Sequence, residues 1–244
     1  MKTSQTHPSS GFTLIELLVV ISIIAILAGI ALPVFGEVQT RGAQTKALSN
    51  AKQIGTACKL FAMDYNGIFP MWSNVDEKTE AGPDSNSVLK TLIPDYVPDK
   101  AVFSIPKSAF CRKTRASSNL PNTLDPGDNE WAYVIGLTDT SNPRFPLLAD
   151  GFVPGSETSS PYYVADDTLP GGVWKGKRAV VIRCDVSGTV ETTYKSGEAG
   201  TASAIYTVKR SDEDPKKNAF QRDEQAIPPW LQGSTIKVLN PLVP

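Results

Sequence analysis

Histidine is nearly absent from this chain: there is one among 244 residues, His7, close to the N-terminus. If the segment around it is removed, as argued below, the mature protein has none. That excludes Ser-His and Cys-His nucleophile pairs, histidine general bases and nearly every zinc or non-haem iron site. No catalytic residue and no cofactor are expected. Paired cysteines are missing as well. Cys58, Cys111 and Cys184 contain no C-x-x-C spacing, which gives a zinc or thioredoxin-like reading no support. Outside the cytoplasm three cysteines allow one disulfide and leave one thiol. Cys111 with Cys184 is one pair to consider, a matter of distance that spacing does not decide. Nor is there an excess of either charge. The 24 Lys and Arg offset the 25 Asp and Glu to a net charge of -1, so no basic field points to nucleic acid. The chain has no G-x-x-x-x-G-K-[ST] loop, and Gly171-Gly172 is too short to cradle a phosphate. The basic cluster Arg112-Lys113-Thr114-Arg115 reads as solvated surface.

What is present begins near the N-terminus. Met1 to Gly11 is polar, with Lys2 its one cation apart from His7. From Phe12 to Phe35 the chain reads FTLIELLVVISIIAILAGIALPVF, where only Thr13, Glu16 and Ser22 are polar. Roughly two dozen residues at about 1.5 Å rise cover some 36 Å, enough to cross a hydrocarbon core of about 30 Å. A secretory signal would be shorter and followed by a small-residue cleavage site. Positive-inside orientation keeps the Lys2 end cytoplasmic and places the rest beyond the membrane. Glu16 does not suit a plain anchor. A carboxylate in a spanning helix costs about 2.5–3.5 kcal/mol on insertion scales, less near the headgroups. Either it is tolerated at the interface or it awaits a cationic partner.

Gly11-Phe12-Thr13-Leu14-Ile15-Glu16, with the apolar run directly behind it, resembles the type IV prepilin processing motif. The resemblance implies that prepilin peptidase cuts between Gly11 and Phe12 and methylates the new Phe12 amine. It also implies that Glu16 pairs with the Phe12 amine of a neighbouring subunit in a filament. Further partners implied are identical and related pilin-like subunits, an inner-membrane assembly platform, and membrane lipids before assembly. The expected location is a single pass through the inner membrane, then a periplasmic or extracellular filament.

Beyond Phe35 the apolar pattern becomes periodic. Ala47, Leu48, Ala51, Ile54, Cys58, Phe61 and Tyr65 form one helical stripe, opposite Arg41, Lys46, Asn50, Lys52, Gln53 and Lys59. This stripe reads as core packing, with Cys58 a small buried apolar residue. Asn66-Gly67 ends the helix. Pro33 removes the hydrogen bond to the Gly29 carbonyl, and Gly29 and Gly36 flank it, which makes this stretch a weak point. In type IV pilins a proline near this place accompanies a helix that bends and melts locally in the filament; a static kink is the alternative. Asn50 to Pro70 resembles a bacterial group of large pseudopilin-like proteins with a similar Asn, Gln-Ile-Gly and Tyr-x-x-x-x-Pro pattern. The C-terminal half resembles the same group. Its histidine is missing here, and Val186-Ser187 separates Asp185 from Gly188.

Four parts are expected: a leader at 1–11, a transmembrane and assembly helix at 12–35, an amphipathic helix at 36–66, and a globular β-rich domain at 67–244. The class is α+β, with the long N-terminal helix packed on a small antiparallel sheet, as in type IV pilins. Ser87 to Tyr96 reads as a short helix. Glu130 to Leu137, Arg144 to Ala149, Arg178 to Cys184 and Thr189 to Tyr194 read as strands, the last two joined by a hairpin at Asp185-Val186-Ser187-Gly188. A polar loop is expected over Lys195 to Asp214, interrupted by the short run Ala204 to Val208. Asp150, Asp166 and Asp167 are calcium candidates without D-x-D-x-D-G spacing. A filament subunit is the leading function. Its alternatives are a minor pilin acting as adhesin or priming subunit, and a membrane-anchored hydrolase using carboxylates such as Asp150 or Asp185.

Overall fold

The computed structural model describes residues 13–105, 108–111, 123–156, 160–198, 204–208, 218–220 and 236–243. The protein is α+β and divides into two compact units, 1–43 and 44–244, with the boundary inside the first helix. That helix, α1, runs Leu14–Asp64. It continues through Pro33 without interruption. A side chain at Gly29 or Gly36 would meet nothing within 4 Å, so packing within one chain does not require either glycine.

In the second unit α1 buries one stripe: Ala47, Ala51, Ile54, Ala57, Cys58, Phe61 and Ala62. Gly67 ends the helix. Its amide donates to the Ala62 carbonyl at 2.7 Å, and Asn66 and Gly67 both take positive φ, 53° and 79°. This satisfies an otherwise orphaned carbonyl in a Schellman arrangement. The Asp139 amide then donates to the Gly67 carbonyl at 2.8 Å, tying the helix end to the sheet.

The small strands β1 (Trp72–Asn74) and β2 (Thr79–Glu80) pair with each other. The region expected as one helix at 87–96 is α2 (Asn86–Leu89) followed by a 3-10 turn, Lys90–Leu92. Pro94 is the physical reason, because the residue before a proline is pushed out of the helical region; Ile93 is extended, with ψ 136°. The main sheet holds β3 (Trp131–Ile135), β4 (Pro146–Asp150), β5 (Arg178–Arg183), β6 (Gly188–Glu198), β7 (Ala204–Val208) and β8 (Lys237–Leu239). Its order is β7-β6-β5-β4-β3-β8. All its pairings are antiparallel. The loop expected from Lys195 is corrected here: β6 runs on to Glu198 and pairs with β7, so the run at 204–208 is an edge strand. Every residue of β3 and β4 is buried, as a central pair covered on both faces requires.

One cross-strand row, Tyr133–Leu148–Ile182–Gly188, lies in register across β3 to β6. Ile182 faces α1: a Cβ added at Gly55 would sit 3.0 Å from Ile182 Cγ2 and 3.3 Å from Val186 Cγ1. Gly55 therefore lets helix and sheet approach closely. The hairpin between β5 and β6 closes with Val186 N donating to Arg183 O at 2.8 Å and Arg183 N to Ser187 O at 2.9 Å. Val186 holds φ 64° there, a place usually given to glycine. Its side chain is what reaches the helix at Gly55, which gives a physical reason for valine over glycine.

Candidate processing and assembly site

The first residues of α1 form a reciprocal cap. The Thr13 amide and hydroxyl donate to Glu16 Oε2 at 2.9 and 2.8 Å, and the Glu16 amide donates back to Thr13 Oγ1 at 3.3 Å. A helix start leaves four amides without intrahelical acceptors, and a Thr-x-x-Glu capping box satisfies two of them while placing negative charge at the positive dipole end. The Thr-x-x-Glu spacing was available in the sequence as a helix-start signal, yet composition draws the eye to Glu16 as a buried charge alone. The carboxylate is therefore held against the Thr13 amide, at the very start of the helix. Gly11 and Phe12 themselves lie outside the described residues.

Behind the cap the described apolar side chains between Leu14 and Val38 have no protein to pack on among the described residues of their own unit. Leu14 is 86% exposed, and every large aliphatic side chain described from Ile15 to Val38 is exposed as well. Among the described residues this is the one helix long and apolar enough to cross a membrane. Burying so much apolar surface, at about 25 cal/mol per Å², is the dominant force available to this segment. Lipid or a neighbouring helix can supply the cover; water cannot. Ser22 does not break the surface, because its hydroxyl donates to the Leu18 carbonyl at 2.7 Å.

The acidic candidates of the second unit are not brought together. Asp150 is fully buried in β4. Asp166 accepts from the Thr168 amide and hydroxyl at 2.9 and 2.7 Å, which hold its carboxyl below the usual range. Asp167 pairs with Lys175 at 3.2 Å. Among the described residues no group of three His, Cys, Asp or Glu is arranged to hold a metal ion. Asp185 caps its own turn, accepting from the Ser187 amide at 2.8 Å. All three cysteines are free. Residues 112–115 lie outside the described residues.

Sequence reasoning missed a buried carboxylate pair. Glu130 and Asp150 are both 0% exposed. Ser108 donates to Glu130 Oε2, and the Val180 amide donates to Asp150 Oδ2 at 2.6 Å. Glu130 Oε1 and Asp150 Oδ1 have no hydrogen-bond partner among the described residues. Burial pushes Asp150 up to about 7, and burial with the Asp150 charge raises Glu130 well above the ordinary carboxylate range. Between pH 4 and pH 7 the folded domain thus holds protons that the unfolded chain has released. Stability falls as pH rises through that window, by on the order of 4 kcal/mol for Asp150 alone. The contribution of these carboxyls to the melting temperature should be largest near pH 4 and be lost as pH rises through 7. Asp150→Asn, which keeps an acceptor for Val180, should flatten that slope; an unchanged slope would show that another group carries it.

Comparison with known proteins was informative at the N-terminus. The family described as the prokaryotic N-terminal methylation motif matches residues 7–32. Prepilin peptidase-dependent protein D of Escherichia coli (strain K12) is 43% identical over 133 residues, 54% of this chain and 82% of that protein. Type IV major pilin protein PilA of Myxococcus xanthus (strain DK1622) is 48% identical over 62 residues, 25% of this chain and 28% of that protein. Type IV major pilin protein PilE of Neisseria gonorrhoeae is 36% identical over 80 residues, 33% of this chain and 44% of that protein. The chain thus spans under half the length of the two major pilins and most of the Escherichia coli protein. No solved structure matches the chain significantly.

Proposed function

The chain belongs to the type IV pilin and pseudopilin-like family, and from that membership we propose that it is a structural subunit of a type IV pilus-like or type II secretion pseudopilus filament. One observation carries the reading. The Gly11-Phe12-x-x-x-Glu16 spacing stands directly before a helix whose apolar side chains are exposed from Leu14 to Val38. In this reading residues 1–11 are a leader, 12–35 anchor the precursor in the inner membrane, and the domain beyond lies outside the cytoplasm. Prepilin peptidase cuts after Gly11 and methylates Phe12. The name of the Escherichia coli relative, a prepilin peptidase-dependent protein, supports that partner.

Assembly moves the apolar helix from lipid into a bundle of its own kind, so apolar cover is exchanged and little of it is lost. The charges decide the register. A Phe12 ammonium taken out of water needs an anion, and Glu16 of a neighbouring subunit offers one. Gly29, Pro33 and Gly36 form the stretch at which α1 yields most readily, because the proline leaves the Gly29 carbonyl without its donor. The role is structural and requires no catalysis by the domain.

The test is mass spectrometry of the native N-terminus, expected to begin at methylated Phe12. An intact Met1, or a cut beyond residue 30, would overturn the processing step. Gly11→Ala should accumulate as uncut precursor, since a larger residue crowds the scissile bond.

A further inference from the structure

Cys58 and Cys184 both lie where α1 meets the β5–β6 hairpin. Gly55, one helical turn before Cys58, is where an added Cβ would press on Ile182 and Val186, the residues two before and two after Cys184. Side chains two apart on a strand point to the same face, so Cys184, just past the end of β5, continues the row begun by Ile182 that faces the helix. Cys58 is on the buried stripe of α1, and both cysteines are only 1% exposed. Tyr133 of the same cross-strand row is fully buried, and burial first, then the neighbouring Cys58 and Cys184, push its hydroxyl above the ordinary range. Cys111 keeps different company: its charged neighbours are Glu130 and Asp128. Topology therefore sets Cys184 beside Cys58 and away from Cys111, where spacing alone left the partner open.

We propose that Cys58 and Cys184 are a redox-closed clasp, a site of disulfide formation that covalently pins the second half of α1 to the sheet. Both Sγ–H bonds break and one Sγ–Sγ bond forms. The two electrons and two protons pass to a disulfide-bearing oxidant, which leaves as two thiols. Burial pushes each thiol up to about 12, so neither is thiolate enough to react once the helix is docked. The clasp therefore closes while the domain folds, or in brief openings of the helix from the sheet. It joins residues 126 positions apart, Cys58 and Cys184.

The experiment uses the full chain in detergent, reduced, unfolded in urea, and refolded with oxidised glutathione. Peptide mapping without reductant should give one cross-link, Cys58 to Cys184, with Cys111 still open to alkylation. Cys111→Ser should refold to a monomer with no titratable thiol. The clasped form should melt about 5–10 °C above the reduced form, a difference that reductant erases. Cys184→Ser serves as a second variant at the edge of the core, should Cys58→Ser fail to fold; it should lose the oxidant-dependent gain. A Cys111 link to either cysteine, or two free thiols in refolded Cys111→Ser, would overturn the proposal.

Discussion

Replacing Glu16 by alanine is expected to leave cleavage after Gly11 intact and to abolish filaments. The carboxylate has two separable jobs. One is local: with Thr13 it closes the capping box at the start of α1. The other is the proposed pairing with a neighbour's Phe12 ammonium. Leaving that cation unpaired in an apolar bundle costs roughly 3–5 kcal/mol for each subunit. Two further variants separate these jobs. Glu16→Gln keeps a capping acceptor, since Gln serves in the same motif, but carries no charge. Thr13→Ala removes the reciprocal cap and keeps the charge. If pairing governs assembly, Glu16→Gln fails with Glu16→Ala and Thr13→Ala still yields filaments. The opposite pattern would make the cap the decisive feature. Loss of the carboxylate also eases membrane insertion, so missing filaments could not be blamed on a precursor that failed to enter the bilayer. Counting sheared filaments by electron microscopy, beside a membrane fraction showing processed subunit, decides the matter.

What could be read from the sequence follows from the range of the forces involved. The apolar stripe is legible because helical periodicity is local: Ala47, Ala51, Ile54, Cys58 and Phe61 are buried as expected, while Leu48 and Tyr65 are half-buried. The centres of β3 to β6 are legible because short apolar runs bounded by turns have few other uses. The ends of the sheet are not. The stretch Lys195 to Glu198 is polar and contains glycine, yet it extends β6 because β7 supplies a pairing edge. β8 is three residues long and finds its partner β3 about a hundred positions away, a pairing that no local pattern encodes. Glu130 and Asp150 were illegible for a related reason. An acidic side chain reads as solvated, and only the tertiary surroundings of β3 and β4 remove its water. The hairpin tip shows the same limit, since Val186 occupies a glycine conformation to make a contact with Gly55 that is distant in sequence.

Removing residues 1–43 is expected to leave a soluble monomer. The second compact unit starts at Gln44, and its first buried residue is Ala47, so the cut spares the packed stripe of α1. The deleted stretch carries the exposed aliphatic run from Leu14 to Val38. The large apolar side chains left exposed are scattered: Leu60, Met63, Leu169 and Val243 among the described residues. Scattered surface hydrophobics do not by themselves hold copies together. Edge strands could, by pairing their open backbone groups, but both edges of the main sheet are met by other segments. Tyr206 of β7 exchanges backbone hydrogen bonds with Tyr163, at 2.8 and 2.9 Å, and the Ser85 amide donates at 2.9 Å to the carbonyl of Asn240, the residue after β8. Strand addition therefore offers little at either edge, and cohesion rests on the deleted helix. Light scattering should give the mass of one chain at concentrations where the full-length protein requires detergent. A stable oligomer of the truncated chain would move cohesion into the globular domain, and the exposed face around Leu60 and Met63 would then be the first surface to mutate.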